Sequence, residues 1–281
     1  MPISPEDLPP AAPPLVEPGA LKRWILHEDE RLLVIDKPGW LVVHPSKNGP
    51  WSSLAGAVRE ELKLDAVRFV YRLDRETSGV IVLAKDEAMG SRLQKAMARG
   101  MVGKCYTALL QGRMERVTTA DLPLGPDPTS TVTVRQRVVE ADSPGAQRAQ
   151  TIFKPLAATD HYTFAAMRLL TGRKHQIRAH ALALGHPVVG DKLYGPDESL
   201  YLEFATKGWT ERHSALLPLP RQALHCAAID LRPAGLDHVF RAPWPADLAK
   251  FARTEMGLEP DAAQKLSDSS AARFFESSLA G

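Results

Sequence analysis

The segment 69–86 reads FVYRLDRETSGVIVLAKD and is centred on Asp74. Apolar, β-forming residues dominate 67–73 before this acid and 80–84 after it, and the polar turn Thr-Ser-Gly occupies 77–79. This pattern predicts a strand, a turn and a second strand. Asp74 is therefore expected at the edge of a sheet.

Asp74 is flanked by two cations, Arg72 and Arg75, which favour the ionised form of its carboxylate. Short charged turns are common, so the flanking arginines alone indicate no activity. The whole string is more specific. Arg-Leu-Asp, two free positions, Thr-Ser-Gly and an apolar run ending in Ala-Lys resembles the catalytic motif of the RluA-type pseudouridine synthases, which isomerise uridine in RNA. The resemblance implies that Asp74 is the catalytic residue, although Tyr71 stands where the family usually has histidine.

A second basic segment, 172–195, reads GRKHQIRAHALALGHPVVGDKLYG. Its apolar side chains recur at helical spacing and predict a helix from about 174 to 184 that ends at Gly185. Lys174 and Arg178 are four residues apart near the helix start, where cations oppose the helix dipole. We therefore expect an anion there, either a carboxylate or a phosphate.

The same segment resembles the second signature of the family almost residue for residue, whereas composition alone would leave it a solvated basic turn. The resemblance implies that Arg178 belongs to the catalytic site. Its planar, permanently charged guanidinium is suited to pairing with Asp74. The RNA-binding residues expected with it are Arg72, Arg173, Lys174, His175, Gln176 and Ile177.

Tyr106 lies in a Lys-x-Tyr-x-Ala frame on a strand predicted over 102–110. A strand tyrosine is usually a core residue with its hydroxyl at the edge. The same frame recurs in the resembled family, where the tyrosine packs on the target base. The resemblance therefore implies a catalytic-site role for Tyr106, including help in removing the C5 proton.

Turn, capping and periodicity signals predict the remaining elements. Two strands around Pro38-Gly39 are predicted to form a hairpin. Helices are expected at about 53–63 and from the cap Asp86 to Gly100. Strands are expected at 32–36, 40–45, 131–139, 147–153, 163–170 and 222–231. Residues 200–220 show no assignable pattern, and 257–281 predict at most one short helix around 271–275.

The Lys-Pro-Gly segment also resembles a family motif, Lys-Pro-x-Gly followed by His-Pro. Here the glycine, Gly39, comes one position early, and Trp40 occupies the position where glycine is usual. A slightly different turn is expected there.

Three regions are predicted: a disordered Pro-rich lead over 1–20, a catalytic domain over 21–256 and a C-terminal tail over 257–281. The resemblance covers about 21–253 and implies the shorter branch of the family, without an N-terminal RNA-binding domain. It also implies an α+β fold with a mixed, mostly antiparallel sheet, flanking helices and a central catalytic cleft lined by Asp74, Tyr106 and Arg178. The residues by themselves give only interleaved strands and helices without regular βαβ alternation.

Composition narrows the functional classes. The chain has 281 residues, 44% of them hydrophobic, and a formal net charge of +2, so it can bury a core and its overall charge proves no nucleic-acid partner. Its two cysteines predict reduced thiols in a cytoplasmic protein. No membrane span or targeting segment is predicted. His175, His180 and His186 lack a nearby acid cluster, so no metal site is predicted from them.

The function expected from the resemblance is isomerisation of specific uridines in ribosomal or transfer RNA. The reaction is redox-neutral and a carboxylate is already ionised at neutral pH, so we predict no metal and no small-molecule cofactor. We expect a monomer that binds RNA and no membrane. Two alternatives remain from the residues: a non-catalytic RNA-binding module, and a hydrolase using Asp74 with His175 or His180.

Overall fold

The computed structural model describes residues 14–45, 48–64 and 67–279, without the side chains of 277–279. The chain forms two compact units. We call the described part of Pro13–Cys105, His225–Pro243 and Asp268–Gly281 the N-terminal unit, and Tyr106–Leu224 with Trp244–Ser267 the central unit.

Seven α-helices are present among the described residues. They are α1 (Leu54–Leu62), α2 (Glu87–Ala98), α3 (Gln176–Ala183), α4 (Ser199–Lys207), α5 (Glu211–Leu216), α6 (Ala246–Met256) and α7 (Pro260–Leu279). Local capping explains where several begin. The Ser53 hydroxyl accepts the N–H of Gly56 at the start of α1, and the Asp86 carboxylate accepts that of Met89 at the start of α2. The Asp86 cap was predicted from the sequence.

The strands in the described residues are short, with none longer than nine residues. They are β1 (Ile25–Glu28), β2 (Leu32–Lys37), β3 (Arg68–Phe69), β4 (Ser78–Ala84), β5 (Gly103–Gln111), β6 (Thr118–Asp121), β7 (Leu124–Pro126), β8 (Gln136–Val138), β9 (Gln150–Ala158), β10 (Tyr162–Leu169), β11 (Leu224–Asp230) and β12 (Val239–Arg241).

The sheet of the N-terminal unit follows the order β1-β2-β4-β11, with β3 paired to β4 and β12 paired to β11. Strand β4 is buried along its whole length, as its continuous apolar sequence predicts. It pairs antiparallel with β2 and parallel with β11. The N-terminal unit therefore contains a mixed sheet together with α1 and α2.

In the central unit β5 (from Tyr106 onward), β10, β9 and β6 follow one another, and the β10–β9 and β9–β6 pairs are antiparallel. A separate antiparallel pair joins β7 to β8. A buried cluster consists of Leu124, Val132, Ala149, Ala179, Leu193 and Tyr194. Because Ala179 lies on α3, this cluster fixes the helix that carries Arg178. The predicted α+β class with a mostly antiparallel sheet is confirmed.

The predicted strand over 40–45 is wrong. Leu41 and Val43 are buried as an apolar strand would require, but the carbonyls of Val42 and Val43 accept the N–H groups of Leu54 and Ala55. These carbonyls therefore satisfy the start of α1 instead of a sheet ladder. The hairpin of this region is β1–β2, and its turn begins at Asp29.

The strand predicted over 131–139 is present only as β8, Gln136–Val138. The preceding residues form a turn, because the N–H of Arg135 donates to the carbonyl of Val132. The carboxylate of Glu198 accepts hydrogen bonds from the Ser130 hydroxyl and the Thr131 N–H. Side-chain anchoring of the backbone replaces strand pairing here.

The C-terminal segment, for which the sequence predicted at most a short helix, forms the twenty-residue helix α7. Its buried positions Ala263, Ser267, Ala271 and Phe275 recur every four residues. Within the N-terminal unit, the ring of Phe275 lies against Gly103. Small Ala and Ser residues on the buried face hid this amphipathic pattern in the sequence.

The predicted disordered lead over 1–20 falls mostly on residues 1–13, which lie outside the described residues. Within 14–20, Val16 is buried and its N–H donates to the carbonyl of Trp51. No helix among the described residues is both long and apolar enough to cross a membrane.

Candidate active site

Asp74 lies in the loop between β3 and β4 of the N-terminal unit and is half-buried. Its backbone carbonyl accepts the N–H of Thr77, which closes a tight turn over 74–77. The strand expected before the acid is much shorter than the sequence predicted, because β3 contains only Arg68 and Phe69. Asp74 thus stands on a loop, directly before the buried strand β4.

A buried lysine holds this loop. The ammonium of Lys37, at the end of β2, donates to the carbonyls of Pro38, Leu41 and Arg75 at 2.8, 2.9 and 3.1 Å. Lys37 is fully buried, so these bonds also compensate for its lost hydration. One ammonium therefore ties the turn after β2 to the peptide unit next to Asp74.

A second bond joins the same two segments from the other side. The Nε of Arg75 donates to the carbonyl of Trp40 at 3.3 Å. Trp40 has a φ of +72°, in the left-handed region that favours glycine. The resembled family usually has glycine at this position, so the unusual backbone shape is present here with a larger residue. The different turn expected here is thus one in which Trp40 adopts a glycine-like backbone conformation. A non-glycine residue in this conformation stores strain beside the loop.

The structure shows why the Thr-Ser-Gly turn ends in glycine. Gly79 has a φ of +107°, and a Cβ there would lie 2.2 Å from the carbonyl oxygen of Cys226 on β11. Only glycine permits this approach of β4 to β11. The preceding Ser78 hydroxyl makes a 3.0 Å hydrogen bond with His225 Nδ1. These contacts fix the end of the Asp74 loop.

Tyr71, which replaces the family's usual histidine, bridges the base of the loop. Its hydroxyl donates to the carbonyl of Val80 at 2.6 Å, so the chain before Asp74 is tied to the chain after it. The ammonium of Lys104 lies 5.5 Å from the Tyr71 ring centroid, a cation–π contact. Burial lowers the pKa of Lys104.

Arg72, an expected RNA contact, is exposed beside Asp74. Its Nη1 lies 3.2 Å from Nε2 of His44. Partial burial lowers the pKa of His44, and the adjacent Arg72 guanidinium lowers it further. The pair leaves a positive charge on the surface near the loop.

Tyr106 lies on β5 and is 6% exposed. Strand geometry and burial confirm the predicted strand around it. Tyr106 belongs to the central unit, as does Arg178, whereas Asp74 belongs to the N-terminal unit. The prediction that the three line one cleft therefore stays a prediction.

Arg178 lies on the first turns of α3 and forms a bidentate ion pair with Asp191. Its Nε and Nη2 donate to Asp191 Oδ2 and Oδ1 at 2.6 and 2.8 Å. Burial of Asp191 alone would raise its pKa, but the Arg178 guanidinium and the N–H groups of Tyr194 and Leu193 together lower it. Asp191 is thus the carboxylate that accompanies this arginine at the helix start.

An aromatic ring supports the same guanidinium. The Arg178 Cζ lies 4.8 Å from the ring centroid of Tyr194. The Tyr194 hydroxyl accepts the N–H of Gln136 at 2.8 Å and lies 3.0 Å from His175 Nδ1. Arg178 is therefore held both by a buried carboxylate and by a tyrosine that is itself fixed at its hydroxyl.

Two members of the expected RNA-binding set are buried. Ile177 is 4% exposed and Gln176 is 2% exposed. The Gln176 carboxamide oxygen accepts from the Thr171 hydroxyl and the Arg173 N–H. Its nitrogen donates to the carbonyl of Gln150 and to the Thr151 hydroxyl. Gln176 thus braces the start of α3, and neither Gln176 nor Ile177 is exposed enough to offer its side chain as a surface contact.

The exposed cations of this segment are Arg173 and Lys174, directly before α3. The Arg173 Nε donates to the carbonyl of Arg148 at 3.0 Å. His175 follows with a φ of +54°, so the chain turns sharply into the helix. The helix begins two residues later than predicted, and Lys174 lies outside it.

His180 has a structural environment. Its Nε2 lies 2.9 Å from the carbonyl of Leu122, and its Nδ1 lies 2.9 Å from the Thr151 hydroxyl. A carbonyl only accepts, so Nε2 carries the proton and Nδ1 accepts from Thr151. Burial lowers the pKa of His180, consistent with a neutral ring. This arrangement argues against His180 as the base of a hydrolase.

Sequence reasoning missed Lys37 and Asp191 as supporting residues. Lys37 lies in the Lys-Pro-Gly segment and Asp191 in segment 172–195. Nothing in either local pattern shows that Lys37 contacts the Asp74 loop or that Asp191 pairs with Arg178. These pairs are 38 and 13 residues apart in sequence. The available signal was a charged residue beside an apolar run, because a charged side chain that becomes buried with such a run needs a partner.

Comparison with known proteins gives a consistent result. A family model described as RNA pseudouridylate synthase matches residues 31–183. The uncharacterized RNA pseudouridine synthase YjbO of Bacillus subtilis (strain 168) is 36% identical over 248 residues, which cover 86% of this chain and 78% of that protein. The ribosomal large subunit pseudouridine synthase D of Escherichia coli O6:H1 is 33% identical over 242 residues, covering 84% and 71%.

A solved structure has a similar fold. Human RNA pseudouridylate synthase domain containing 4 superposes with a TM-score of 0.64 at 25% identity. The match covers 83% of this chain and 93% of that one.

Proposed function

Because this chain belongs to the RNA pseudouridylate synthase family, we propose that Asp74, Arg178 and Tyr106 together isomerise specific uridines in ribosomal RNA. The enzyme class is an isomerase acting on RNA. The observation that carries the residue assignment is the position of Asp74, half-buried on a loop that Lys37 and Arg75 tie to the turn after β2. A reactive carboxylate needs its oxygens held in place, and this loop supplies that restraint.

The chemistry assigns distinct tasks to these side chains. The bond between N1 of uracil and C1′ of ribose breaks, the base turns, and C5 bonds to C1′. C5 gives up a proton and N1 gains one, so atoms and electrons balance within the RNA. A carboxylate is ordinarily ionised at neutral pH, so Asp74 needs no general base to act as a nucleophile. Attack on C1′, attack on C6 and removal of a sugar proton are all open to a carboxylate.

Arg178 is proposed to keep the Asp74 carboxylate ionised and to orient its oxygens. A guanidinium carries five N–H donors, of which the Asp191 pair uses two. Asp191 and the Tyr194 ring orient the group, so the direction of its other donors is set by the fold. We propose that these donors face the Asp74 carboxylate and the RNA.

Tyr106 is proposed as the surface on which the target base packs. A base in a structured RNA must leave its stack to reach the enzyme, and an aromatic ring offsets part of the cost of unstacking. Tyr106 is largely buried on a central strand, so its ring is rigid before RNA binds. Removal of the C5 proton is assigned to the same residue.

RNA contact is proposed for the exposed cations Arg72, Arg173 and Lys174, together with His175. Several relatives are named for the large ribosomal subunit, which is the basis for proposing ribosomal RNA. The proposed setting is a cytoplasmic monomer. The hydrolase alternative that uses His180 is less compatible with the site, because both nitrogens of His180 are hydrogen-bonded in the core of the central unit.

Product analysis tests this proposal. The purified chain is incubated with large-subunit ribosomal RNA from cells lacking the gene, and pseudouridines are mapped alongside nucleoside mass analysis. The expected product is RNA of unchanged mass with new pseudouridine and no free uracil. Free uracil or strand cleavage would indicate a hydrolase, and RNA binding without any product would indicate a binding module.

A further inference from the structure

Three side chains that commonly bind metals converge in the N-terminal unit: His27, Asp29 and His238. Each offers one ligand atom, and these atoms all lie within 4.8 Å of one another. His27 Nε2 is 2.9 Å from Asp29 Oδ2. The ring centroids of His27 and His238 are 5.1 Å apart. Among the described residues, this is the one group with such an arrangement.

The backbone fixes the carboxylate of this group. Asp29 begins the turn from β1 to β2, and its Oδ1 accepts the N–H groups of Arg31 and Leu32, both at 2.7 Å. That leaves Oδ2 on the side of His27. An anchored ligand of this kind has the orientation that outer hydrogen bonds give to carboxylates in metal sites.

An aromatic residue orients both imidazoles. Phe240 on β12 has its ring centroid 5.2 Å from that of His27 and 5.3 Å from that of His238. His238 precedes β12, and its carbonyl accepts the N–H of Leu231 at 3.0 Å, so its backbone is fixed as well. Both histidines are half-buried, so each remains partly accessible to solvent.

We propose that His27, Asp29 and His238 form a zinc site, with water as the fourth ligand. Two imidazoles and one carboxylate make a donor set that Zn²⁺ accepts in tetrahedral geometry, with bonds of about 2.0–2.2 Å. Bonds of that length bring ligand atoms to about 3.3 Å from one another. The His27–Asp29 spacing of 2.9 Å is already shorter than this, and the other spacings, all within 4.8 Å, would be adjusted by rotation of the side chains. Imidazole ligands favour zinc over magnesium or calcium, which prefer oxygen.

The ion would join two parts of one unit. β1 is the edge strand of the sheet order in the N-terminal unit, and β12 pairs with β11 further along it. A ligand that binds only the folded state stabilises it by RT ln(1 + [L]/Kd), so the effect grows with the ligand concentration relative to its dissociation constant. The site would therefore act on the stability of the N-terminal unit. It is independent of the isomerase assignment, because Asp74 needs no metal to act as a nucleophile.

Calorimetric titration of the full chain with Zn²⁺, after removal of metals by chelation and dialysis, tests the site. We expect one ion per chain, a dissociation constant on the order of micromolar and a higher midpoint of thermal unfolding with zinc. His27→Gln, His238→Gln and Asp29→Asn should each weaken binding by at least about tenfold. The asparagine keeps an oxygen for the Arg31 and Leu32 N–H groups, so this variant separates ligation from the turn.

The matched control is His161→Gln, which removes an exposed histidine outside the group. It should leave zinc affinity and stoichiometry unchanged. Magnesium at the same concentration should give no stabilisation. The proposal is overturned if wild-type protein binds no zinc at 100 times the expected constant, on the order of 0.1 mM. It is also overturned if folded variants of the three residues bind as tightly as the control.

Discussion

Two arginine–aspartate pairs in the central unit have the same bidentate geometry but differ in exposure. Arg178 pairs with Asp191 through bonds of 2.6 and 2.8 Å, and Arg221 pairs with Asp247 through bonds of 2.5 and 2.9 Å. In the first pair the Asp191 side chain is 0% exposed and that of Arg178 is 8% exposed. In the second, Arg221 is 2% exposed and Asp247 is 42% exposed.

The two pairs therefore differ in how far each partner is exposed to solvent. Asp191 is enclosed and also accepts the N–H groups of Leu193 and Tyr194, and Arg178 is nearly as buried, so the whole pair lies in the interior. Arg221 is enclosed and its Nη1 donates to the Gln222 carbonyl, so there the cation serves the interior. We interpret Arg178–Asp191 as a device that orients a reactive cation, and Arg221–Asp247 as a structural brace.

Replacing the two arginines should separate these roles most strongly. Arg178→Ala should lower the single-turnover rate at saturating enzyme by at least about a hundredfold, because the variant lacks a charge-stabilising donor. RNA affinity should change far less. Arg178→Lys should recover only part of the rate, since an ammonium lacks the fork geometry.

The matched variant is Arg221→Lys, which should lower the midpoint of thermal unfolding while a folded preparation keeps a near-normal rate. The measurements are a single-turnover time course and a direct binding isotherm for each protein. A near-normal saturated rate with greatly weakened binding in Arg178→Ala would refute the proposed pairing with Asp74 and leave Arg178 as a phosphate contact.

Replacing the two aspartates should give a smaller contrast. Asp191→Asn keeps the volume but not the charge, so Arg178 loses its orientation, and we expect about a tenfold lower single-turnover rate. Asp247→Asn should reduce stability and leave the rate within about threefold, a limit set by the low cost of more exposed pairs. If both variants lower the rate equally, Asp191 has no special role in positioning Arg178.

Asp36 on β2 contrasts with Asp191. It is a half-buried carboxylate whose ionised form the fold disfavours. Burial raises its pKa to about 6, and the attraction of Lys37 offsets only part of this effect. The folded state then holds a proton that the unfolded state releases, so stability falls as the pH rises from about 4 to about 6. Above that range the penalty is complete.

Asp36→Asn should therefore be more stable than the wild type at pH 7.5, by about 1 to 2 kcal/mol, and nearly equal to it at pH 4. Urea unfolding of both proteins at the two pH values measures this difference. A gain of the same size at both pH values would show that titration of Asp36 is not its cause.

The smallest expected effect concerns cations that are exposed and outside these pairs. Removing Arg173 and Lys174 together should weaken RNA binding, because fewer RNA phosphates are then neutralised. The slope of log affinity against log salt should fall by about 0.7 to 0.9 for each phosphate that the variant no longer binds. The saturated single-turnover rate should stay unchanged. Unchanged affinity and slope would make these residues a solvated surface.

How far the sequence predicted this molecule depended on the range of the interactions. Local signals placed α1, α2, β4 and β10, because caps and apolar runs act within a few residues. They failed at 40–45, where carbonyls cap a helix, and at α7, whose buried face consists largely of alanine and serine. In both cases tertiary contacts outweigh local propensity.

The candidate site shows the same limit. Asp74, Tyr106 and Arg178 were identified because each lies in a contiguous motif resembling a family pattern. Lys37 and Asp191, which hold the Asp74 loop and Arg178, act across 38 and 13 residues. The burial of Gln176 and Ile177 likewise follows from how α3 packs, and the motif alone could not separate bracing from RNA contact.

Asp74→Asn tests the central claim most directly. The asparagine keeps the size and most of the hydrogen bonding of the side chain but cannot act as a nucleophile. A folded, homogeneous preparation should bind RNA with near wild-type affinity and form no pseudouridine in a single-turnover assay. Appreciable pseudouridine formation by this variant would contradict the assignment of Asp74 as the catalytic residue.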